Sequence, residues 1–364
     1  MTSRNVFPLL TLLFVFFAAN LAQAIDPGAW TLSVDLRGRR LEGFPLQFSE
    51  TQVSLLLRDG QLVDFSPTEV SDFKKTSSTF RPLSAGEMRA ELLREFSPQL
   101  EVTGTGHYLV AHPKGQGAKW AERFEELYRS MMYYFRVRGF RMQQPEFPLS
   151  AIVWSKREDF LRYAASQGAN LSPGVIGYYS PMTNRITLYD MAAGSNDAEA
   201  WRLNAATVVH EATHQTAFNT GVHRRFASTP VWVVEGLGTL FESRGIWDSR
   251  QYPRLEDRIN RDRLANFREY LKASRPAQGF LQVVADDRLF RSNPLAAYAE
   301  AWAFTFYLVE QEPKKYGAYL AKTAALEPFA PYSPQQRIAD FQAIFGSNPR
   351  MLEANYLRFI EGLK

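Results

Sequence analysis

The chain has 364 residues, 45% of them hydrophobic, which is enough for one large domain and a smaller one. It contains no cysteine, so disulfide frameworks and thiolate nucleophiles or metal ligands are excluded. The formal net charge is only +4, and basic residues alternate with acids, as between Arg254 and Lys272. We interpret these charges as solvated helix faces and expect no nucleic-acid partner.

The N-terminus has the composition of a secretory signal peptide. Arg4 supplies the positive charge, Val6 to Ala19 the apolar run, and Ala22-Gln23-Ala24 a small-x-small cleavage site. An uncleaved membrane anchor is the alternative, but the run is short for a bilayer and contains Pro8. We therefore expect residues 1–24 to be removed and the protein to be periplasmic or extracellular, with no membrane span afterwards.

Residues 25–80 predict a small β-rich module. Apolar residues alternate with polar ones from Trp30 to Leu36, and Asp59-Gly60 is a two-residue hairpin signal. Residues 74–80, rich in Ser and Thr, predict a linker. Within residues 81–99, Ser84 and Glu87 form a capping box that opens a connecting helix ending at about Phe96.

Residues 100–364 are expected to form the catalytic domain. Leu100 to His112 predicts its first strand, and Ala118 to Phe135 a helix whose aromatic stripe belongs to the core. Gly174 to Asp190 predicts a hairpin directly before the next long helix. An edge strand in this position can hold an extended peptide by main-chain hydrogen bonds, or it can be an ordinary structural hairpin. Beyond residue 229 the pattern is mostly helical.

The motif H-E-x-x-H occurs at His210, Glu211 and His214. Two histidines four residues apart lie on one helical face, so both rings can reach a single metal ion. The intervening glutamate can take a proton from a metal-activated water, which is hydrolytic chemistry. The chain has five histidines, and two of them fall in this arrangement.

A hydrolytic zinc ion usually takes three protein ligands and keeps one position for water. The candidates for the third ligand are Glu235, His223 and acids of later helices. Glu235 is favoured because it lies early in a helix that Thr229-Pro230 opens. Its neighbours Gly236 and Gly238 allow a close approach to the helix that carries His210 and His214, here called the metal helix.

The motif followed on the next helix by W-x-x-E-G at Trp232 to Gly236 resembles the gluzincin metallopeptidases, the clan of thermolysin and the zinc aminopeptidases. From about His107 to Leu320 the pattern is similar to an uncharacterised family of secreted bacterial gluzincin-like domains. The resemblance implies an α+β fold in which a mixed sheet precedes a mainly helical C-terminal half. It also implies Zn²⁺ as cofactor, held by His210, His214 and Glu235, with Glu211 as general base.

Three further residues receive roles with open alternatives. Glu242 can orient a ligand histidine or be a surface acid. Tyr298 resembles the clan's oxyanion-stabilising tyrosine but can equally be a core residue. His223 lies nine residues after His214, which departs from the metzincin pattern H-E-x-x-H-x-x-G-x-x-H, so it is expected to be a solvated loop residue or a donor near the site.

The leading hypothesis is an exported zinc metallopeptidase that hydrolyses peptide or protein substrates. The absence of a recognisable G-x-M-E-N-type segment favours endopeptidase over aminopeptidase action. Two alternatives are a non-catalytic envelope binding protein that keeps the fold and a hydrolase of a non-peptide amide in cell-wall material.

Overall fold

The computed structural model describes residues 30–172, 174–193 and 198–364. The chain divides into two compact units, one ending at Pro82 and one beginning at Leu83. The expected signal peptide of residues 1–24 lies outside the described residues.

The first unit contains a five-stranded antiparallel sheet in the order β4-β3-β2-β1-β5. Its strands are β1 (Thr31–Leu36), β2 (Arg39–Phe48), β3 (Val53–Leu57), β4 (Leu62–Phe65) and β5 (Val70–Ser77). Alternate residues such as Leu32, Val34, Leu55 and Leu57 form its buried core. The hairpin predicted at Asp59-Gly60 is confirmed, since residues 58–61 join β3 to β4.

The linker predicted for residues 74–80 is wrong over its first half. Strand β5 continues to Ser77 and pairs with β1, with Lys74 opposite Ser33. The strand lies at the sheet edge and most of its residues are exposed. Because neither of its faces is buried, its residues carry no alternating apolar pattern that would have indicated a strand.

The second unit contains a mixed sheet in the order β6-β7-β8-β10-β9. Its strands are β6 (Glu101–Gly104), β7 (Tyr108–His112), β8 (Leu149–Trp154), β9 (Gly177–Ser180) and β10 (Arg185–Tyr189). Strand β8 is parallel to both β7 and β10, whereas the β6–β7 and β10–β9 pairs are antiparallel. The hairpin predicted before the metal helix is therefore confirmed, and β9 is an edge strand.

The single strand predicted from Leu100 to His112 is a hairpin of two strands. The carboxylate of Glu125 accepts hydrogen bonds from the Thr105 hydroxyl and the His107 main-chain N–H, both at 2.9 Å. These bonds hold the turn between β6 and β7. Their partner comes from a distant helix, so the local alternation could not reveal the turn.

Helices dominate the rest of the second unit, as predicted. Their bounds are α1 (Ala85–Phe96), α2 (Gly117–Arg136), α3 (Arg157–Ser166), α4 (Ala198–Asn219), α5 (Val231–Phe241), α6 (Arg244–Trp247), α7 (Arg261–Ala273), α8 (Phe280–Ala285), α9 (Arg288–Ser292), α10 (Pro294–Gln311), α11 (Pro313–Ala324), α12 (Pro334–Phe345) and α13 (Pro349–Glu361). The α+β fold class, with a β-rich N-terminal module, a mixed sheet and a mainly helical C-terminal half, is confirmed.

The packing of two helices shows where the core lies. The capping box of Ser84 and Glu87 opens α1, whose Met88, Leu92 and Phe96 pack with β6 and β7 of the second unit. The aromatic stripe of α2 is buried, as expected. No helix in the described part of the chain combines the length and apolarity needed to cross a membrane.

Candidate metal centre

Helix α4 carries the H-E-x-x-H motif and is fixed against the sheet by close packing and side-chain hydrogen bonds. A Cβ atom at Gly177 of β9 would lie 2.8 Å from Thr207 Cγ2 on α4, so glycine permits the strand to approach the helix closely. The Gln215 side chain donates to the main-chain oxygens of Ser150, at 3.0 Å, and Asn184, at 2.8 Å. These contacts fix the orientation of α4 beside the edge strand.

Three donor atoms from two helices converge at one point. His210 Nε2 lies 2.9 Å from His214 Nε2 and 3.2 Å from Glu235 Oε2, and the third side, from His214 Nε2 to Glu235 Oε2, is 3.5 Å. Two ligands of a tetrahedral zinc ion, each about 2.1 Å from the metal, are roughly 3.3 Å apart. The triangle therefore has the size expected for three ligands of a tetrahedral zinc site, and His210, His214 and Glu235 are the residues that would hold the ion.

Glycine at position 238 allows the two helices to approach each other. A Cβ atom there would lie 2.8 Å from His210 Cε1 and 2.9 Å from His214 Cε1, so no larger residue fits beside the rings. Gly236, expected to face the metal helix as well, instead packs against Thr305 and Ala301 of α10. The two glycines thus serve different interfaces of α5, since Gly238 faces the histidines of α4 and Gly236 faces α10.

The N-terminus of α5 differs from the expectation. Pro230, rather than Thr229, occupies the N-cap position and gives no side-chain cap. The carboxylate of Asp287 accepts from the Val231 main-chain N–H at 3.1 Å and from Arg337 Nη1 at 2.9 Å. A carboxylate distant in sequence therefore accepts a main-chain N–H at the start of the helix that carries Glu235. Its negative charge is also favourable at the positive end of the helix dipole.

Glu242, at the C-terminal end of α5, contacts a ligand histidine. His210 Nδ1 donates to Glu242 Oε1 at 2.8 Å, and Asn260 Nδ2 donates to Oε2 at 2.6 Å. Because an ionised carboxylate only accepts hydrogen bonds, it fixes the proton of a neutral His210 on Nδ1 and leaves the Nε2 lone pair for a metal. Burial lowers the pKa of His210, but the hydrogen bonds that its ring donates to Glu235 and Glu242 outweigh burial and raise the pKa well above its ordinary value, so metal binding would displace the proton from Nε2.

The acidic donor itself is held ionised. Burial would raise the pKa of Glu235, but the charge of His214 and hydrogen bonds with both histidines outweigh it, and the pKa lies below the ordinary value. A carboxylate that stays charged near neutral pH is the form that binds a divalent cation.

Glu211 is buried beside these donors and contacts the edge strand. Its Oε2 accepts a hydrogen bond from the main-chain N–H of Tyr179 in β9 at 2.7 Å. Burial raises the pKa of Glu211, and the charges of His210 and His214 oppose this only in part. A carboxylate with a raised pKa is a better proton acceptor, as a general base requires.

A cavity of about 820 Å³ opens beside the donors and is lined by His210, Glu211, Glu242 and Tyr298 among others. Tyr298 comes from α10, and burial together with the charge of Glu235 raises the pKa of its phenol. The phenol therefore keeps its proton and can donate a hydrogen bond. The structure places Tyr298 at the cavity wall and not in the closed core.

His223 is not a solvated loop residue, and that expectation is wrong. It is 2% exposed, packs against the Phe218 ring, and neither ring nitrogen makes a hydrogen bond to another described residue. Burial, followed by the charge of His214, lowers the pKa of His223 to about 3, so the ring is neutral. The metal-donor group consists of His210, His214 and Glu235, and His223 is not among them.

Three side chains around the centre were not predicted. Arg263, interpreted as part of a solvated helix face, lines the cavity and stacks on the Tyr298 ring at 5.1 Å. Asn260 is the N-cap of α7, a role that its position before a helical pattern could have indicated, although its bond to Glu242 could not. Asp287 has no local signal for its role at α5.

A family model described as "Protein of unknown function (DUF1570)" matches residues 204–330, which include the three donors, Glu211 and Tyr298. No curated protein matches the chain.

Solved structures of an M1 zinc metallopeptidase from Deinococcus radiodurans match part of the chain. One is 17% identical with a TM-score of 0.39 and covers 72% of this chain and 50% of that one. A variant of that enzyme is 15% identical with a TM-score of 0.38, covering 74% and 52%. The variant bound to a Tyr-Ser-Ala substrate is 14% identical with a TM-score of 0.36, covering 72% and 51%. The chain thus spans about half the length of these peptidases.

Proposed function

We propose that this protein is a zinc metallopeptidase that hydrolyses peptide bonds. The observation that carries the proposal is the triangle of His210, His214 and Glu235 donor atoms, with sides of 2.9, 3.2 and 3.5 Å, beside a buried carboxylate. Two histidines and one glutamate form a known ligand set of hydrolytic zinc enzymes. Zinc bound by this set would polarise the scissile carbonyl and lower the pKa of water.

Glu211 carries both proton transfers, and Tyr298 stabilises the charge that develops between them. Glu211 accepts a proton from a water molecule while the oxygen of that water attacks the carbonyl carbon of the substrate. The Tyr298 phenol donates a hydrogen bond to the oxygen on which negative charge develops. Glu211 then gives its proton to the amide nitrogen while the carbon–nitrogen bond breaks, which yields a carboxylic acid and an amine. The acid loses its remaining proton to the amine near neutral pH, which leaves a carboxylate and an ammonium group.

The edge strand β9 is the proposed holder of the substrate. Alternate main-chain groups of an edge strand point away from its sheet partner, and Tyr179 already directs its N–H to Glu211. Gly177, two residues earlier on the same edge, lines the cavity. An extended peptide paired to this edge brings its backbone alongside Glu211, which suits cleavage within a chain.

Metal content and cleavage test the proposal separately. We expect about one zinc ion per purified wild-type chain and a strongly reduced content in His214→Ala. We expect the wild type to cleave members of a peptide library and Glu211→Gln to bind zinc without cleaving them. Equal, negligible zinc in wild type and His214→Ala would refute the ligand set, and cleavage by Glu211→Gln at the wild-type rate would refute the general base.

We also propose that the enzyme works outside the cytoplasm, on the grounds of Arg4, the apolar run and Ala22-Gln23-Ala24. N-terminal sequencing of protein recovered from periplasm and medium is expected to begin after Ala24. A protein that keeps residues 1–24 and remains with the cytoplasm would contradict this.

A further inference from the structure

The part of the cavity lining that comes after α5 in the chain is rich in arginine. Arg244, Arg261 and Arg263 all line it, together with the acids Asp257 and Asp262. Two of the arginines are engaged by the protein. Arg244 Nη1 donates to the Tyr252 hydroxyl at 3.2 Å, and Arg261 Nη1 donates to the main-chain oxygen of Lys364.

The guanidinium of Arg263 is different. Its side chain is 24% exposed and makes no hydrogen bond to another residue in the described part of the chain. The nearest carboxylate oxygen, Glu242 Oε1, is 3.8 Å away. The two oxygens of Glu242 already accept from His210 and Asn260. Arg263 therefore makes a long ion pair with Glu242, while its donor fork lines the cavity and makes no hydrogen bond to a described residue.

Arg263 also lies beside a proposed catalytic group. Its guanidinium carbon is 5.1 Å from the centre of the Tyr298 ring, so a substrate group that Tyr298 contacts would also lie near the planar fork. A guanidinium binds carboxylates through two parallel hydrogen bonds, which are about twice as strong as neutral ones. Phosphate is bound as well, but a peptide substrate offers carboxylates.

We propose that Arg263 binds a carboxylate of the substrate, so that the enzyme selects peptides with an anionic group near the scissile bond. This inference deepens the proposed peptidase function and rests on it. The carboxylate can belong to an aspartate or glutamate side chain or to the free C-terminus of the peptide. Both sources present the same planar acceptor to the fork.

Binding to a non-cleaving protein tests the inference apart from catalysis. The protein is zinc-loaded Glu211→Gln, and the readout is the Kd from calorimetry for three peptides of equal length. One carries an internal glutamate and an amidated C-terminus, one has glutamine there and a free C-terminus, and one has glutamine and an amidated C-terminus. We expect at least one anionic peptide to bind about 10- to 100-fold more tightly than the neutral one.

The Arg263→Gln substitution, added to Glu211→Gln, is expected to abolish that preference while leaving the Kd of the neutral peptide within about threefold. Arg261→Gln is the matched control, because Arg261 lines the same cavity but its guanidinium is bound to the main-chain oxygen of Lys364. This variant should keep the preference for the anionic peptide. Arg263→Lys retains the positive charge without the planar fork and should keep only part of the preference for the anionic peptide. The anionic peptide that binds more tightly than the neutral one shows whether the bound carboxylate comes from a side chain or from the C-terminus.

Three results would overturn the inference: equal Kd values for all three peptides, no measurable binding of any peptide, or an equal loss of affinity for all three peptides in Arg263→Gln. The last result would assign Arg263 to positioning Tyr298. Arg263-dependent binding of the anionic peptides, with no hydrolysis of any peptide by the wild type, would instead reject the peptidase proposal and leave the carboxylate site standing.

Discussion

A methyl group added at Gly238 is expected to disturb the zinc site directly. In Gly238→Ala the new Cβ would lie 2.8 Å from His210 Cε1 and 2.9 Å from His214 Cε1. Non-bonded carbons prefer about 3.5–4.0 Å, so the rings or the helix must shift by roughly 0.6–1 Å. Metal–ligand distances tolerate only about 0.2 Å. We therefore expect zinc affinity to fall about 10- to 100-fold.

The assay is competition for zinc with a chromophoric chelator, combined with thermal unfolding with and without zinc. Each tenfold loss of affinity removes about 1.4 kcal/mol of zinc-linked stabilisation. Gly236→Ala is the matched control, because its Cβ meets Thr305 and Ala301 and not the rings. It should lower stability by about 1–3 kcal/mol with or without zinc and leave the affinity unchanged. Gly238→Ala with wild-type zinc affinity, or equal losses in both variants, would refute the reasoning.

Three further predictions concern the surroundings of the centre. Glu242→Gln should weaken zinc binding about 10- to 100-fold, measured by chelator competition, because the hydrogen bond that fixes His210 loses its charged acceptor. Tyr298→Phe should lower kcat about 10²- to 10³-fold on a cleaved peptide with little change in KM and normal zinc content. Glu125→Gln should lower the free energy of unfolding at pH 7 by about 1–3 kcal/mol. Burial raises the pKa of Glu125, but hydrogen bonds from His107 outweigh it and leave the pKa below its ordinary 4.5, so the difference from wild type should shrink as pH falls below that value.

Local spacing was sufficient for some parts of the site. His210, Glu211 and His214 lie on one helix, so a period of 3.6 residues determines which side chains share a face. The hairpin before α4 and the helix after it were predicted in the same way, from alternation and turn residues. For Glu235 the sequence offered only a preference, expressed through its position in a short glycine-containing helix.

The remaining contacts depend on packing between distant elements. Asp287 holds the start of α5, Asn260 holds Glu242, and Glu125 holds the β6–β7 turn. Each of these side chains is polar, and from sequence alone it would be interpreted as an ordinary solvent-exposed residue. Their partners lie 18 to 56 residues away, and no local pattern distinguishes a surface acid from one that accepts a main-chain N–H across the fold.

Arg263 shows how packing turns a residue of ordinary sequence context into a candidate for recognition. In sequence it alternates with acids, a pattern that usually indicates a solvated helix face. In the fold, the start of α7 reaches the cavity because Asn260 bonds both its own helix, through the Arg263 main-chain N–H, and Glu242. Glu242 in turn bonds His210, and its nearer oxygen lies 3.8 Å from Arg263, which is an ion pair but too long for a hydrogen bond. The carboxylate that orders the metal ligand thus makes only a long ion pair with Arg263, and the hydrogen-bonding groups of the guanidinium are left for the proposed substrate carboxylate.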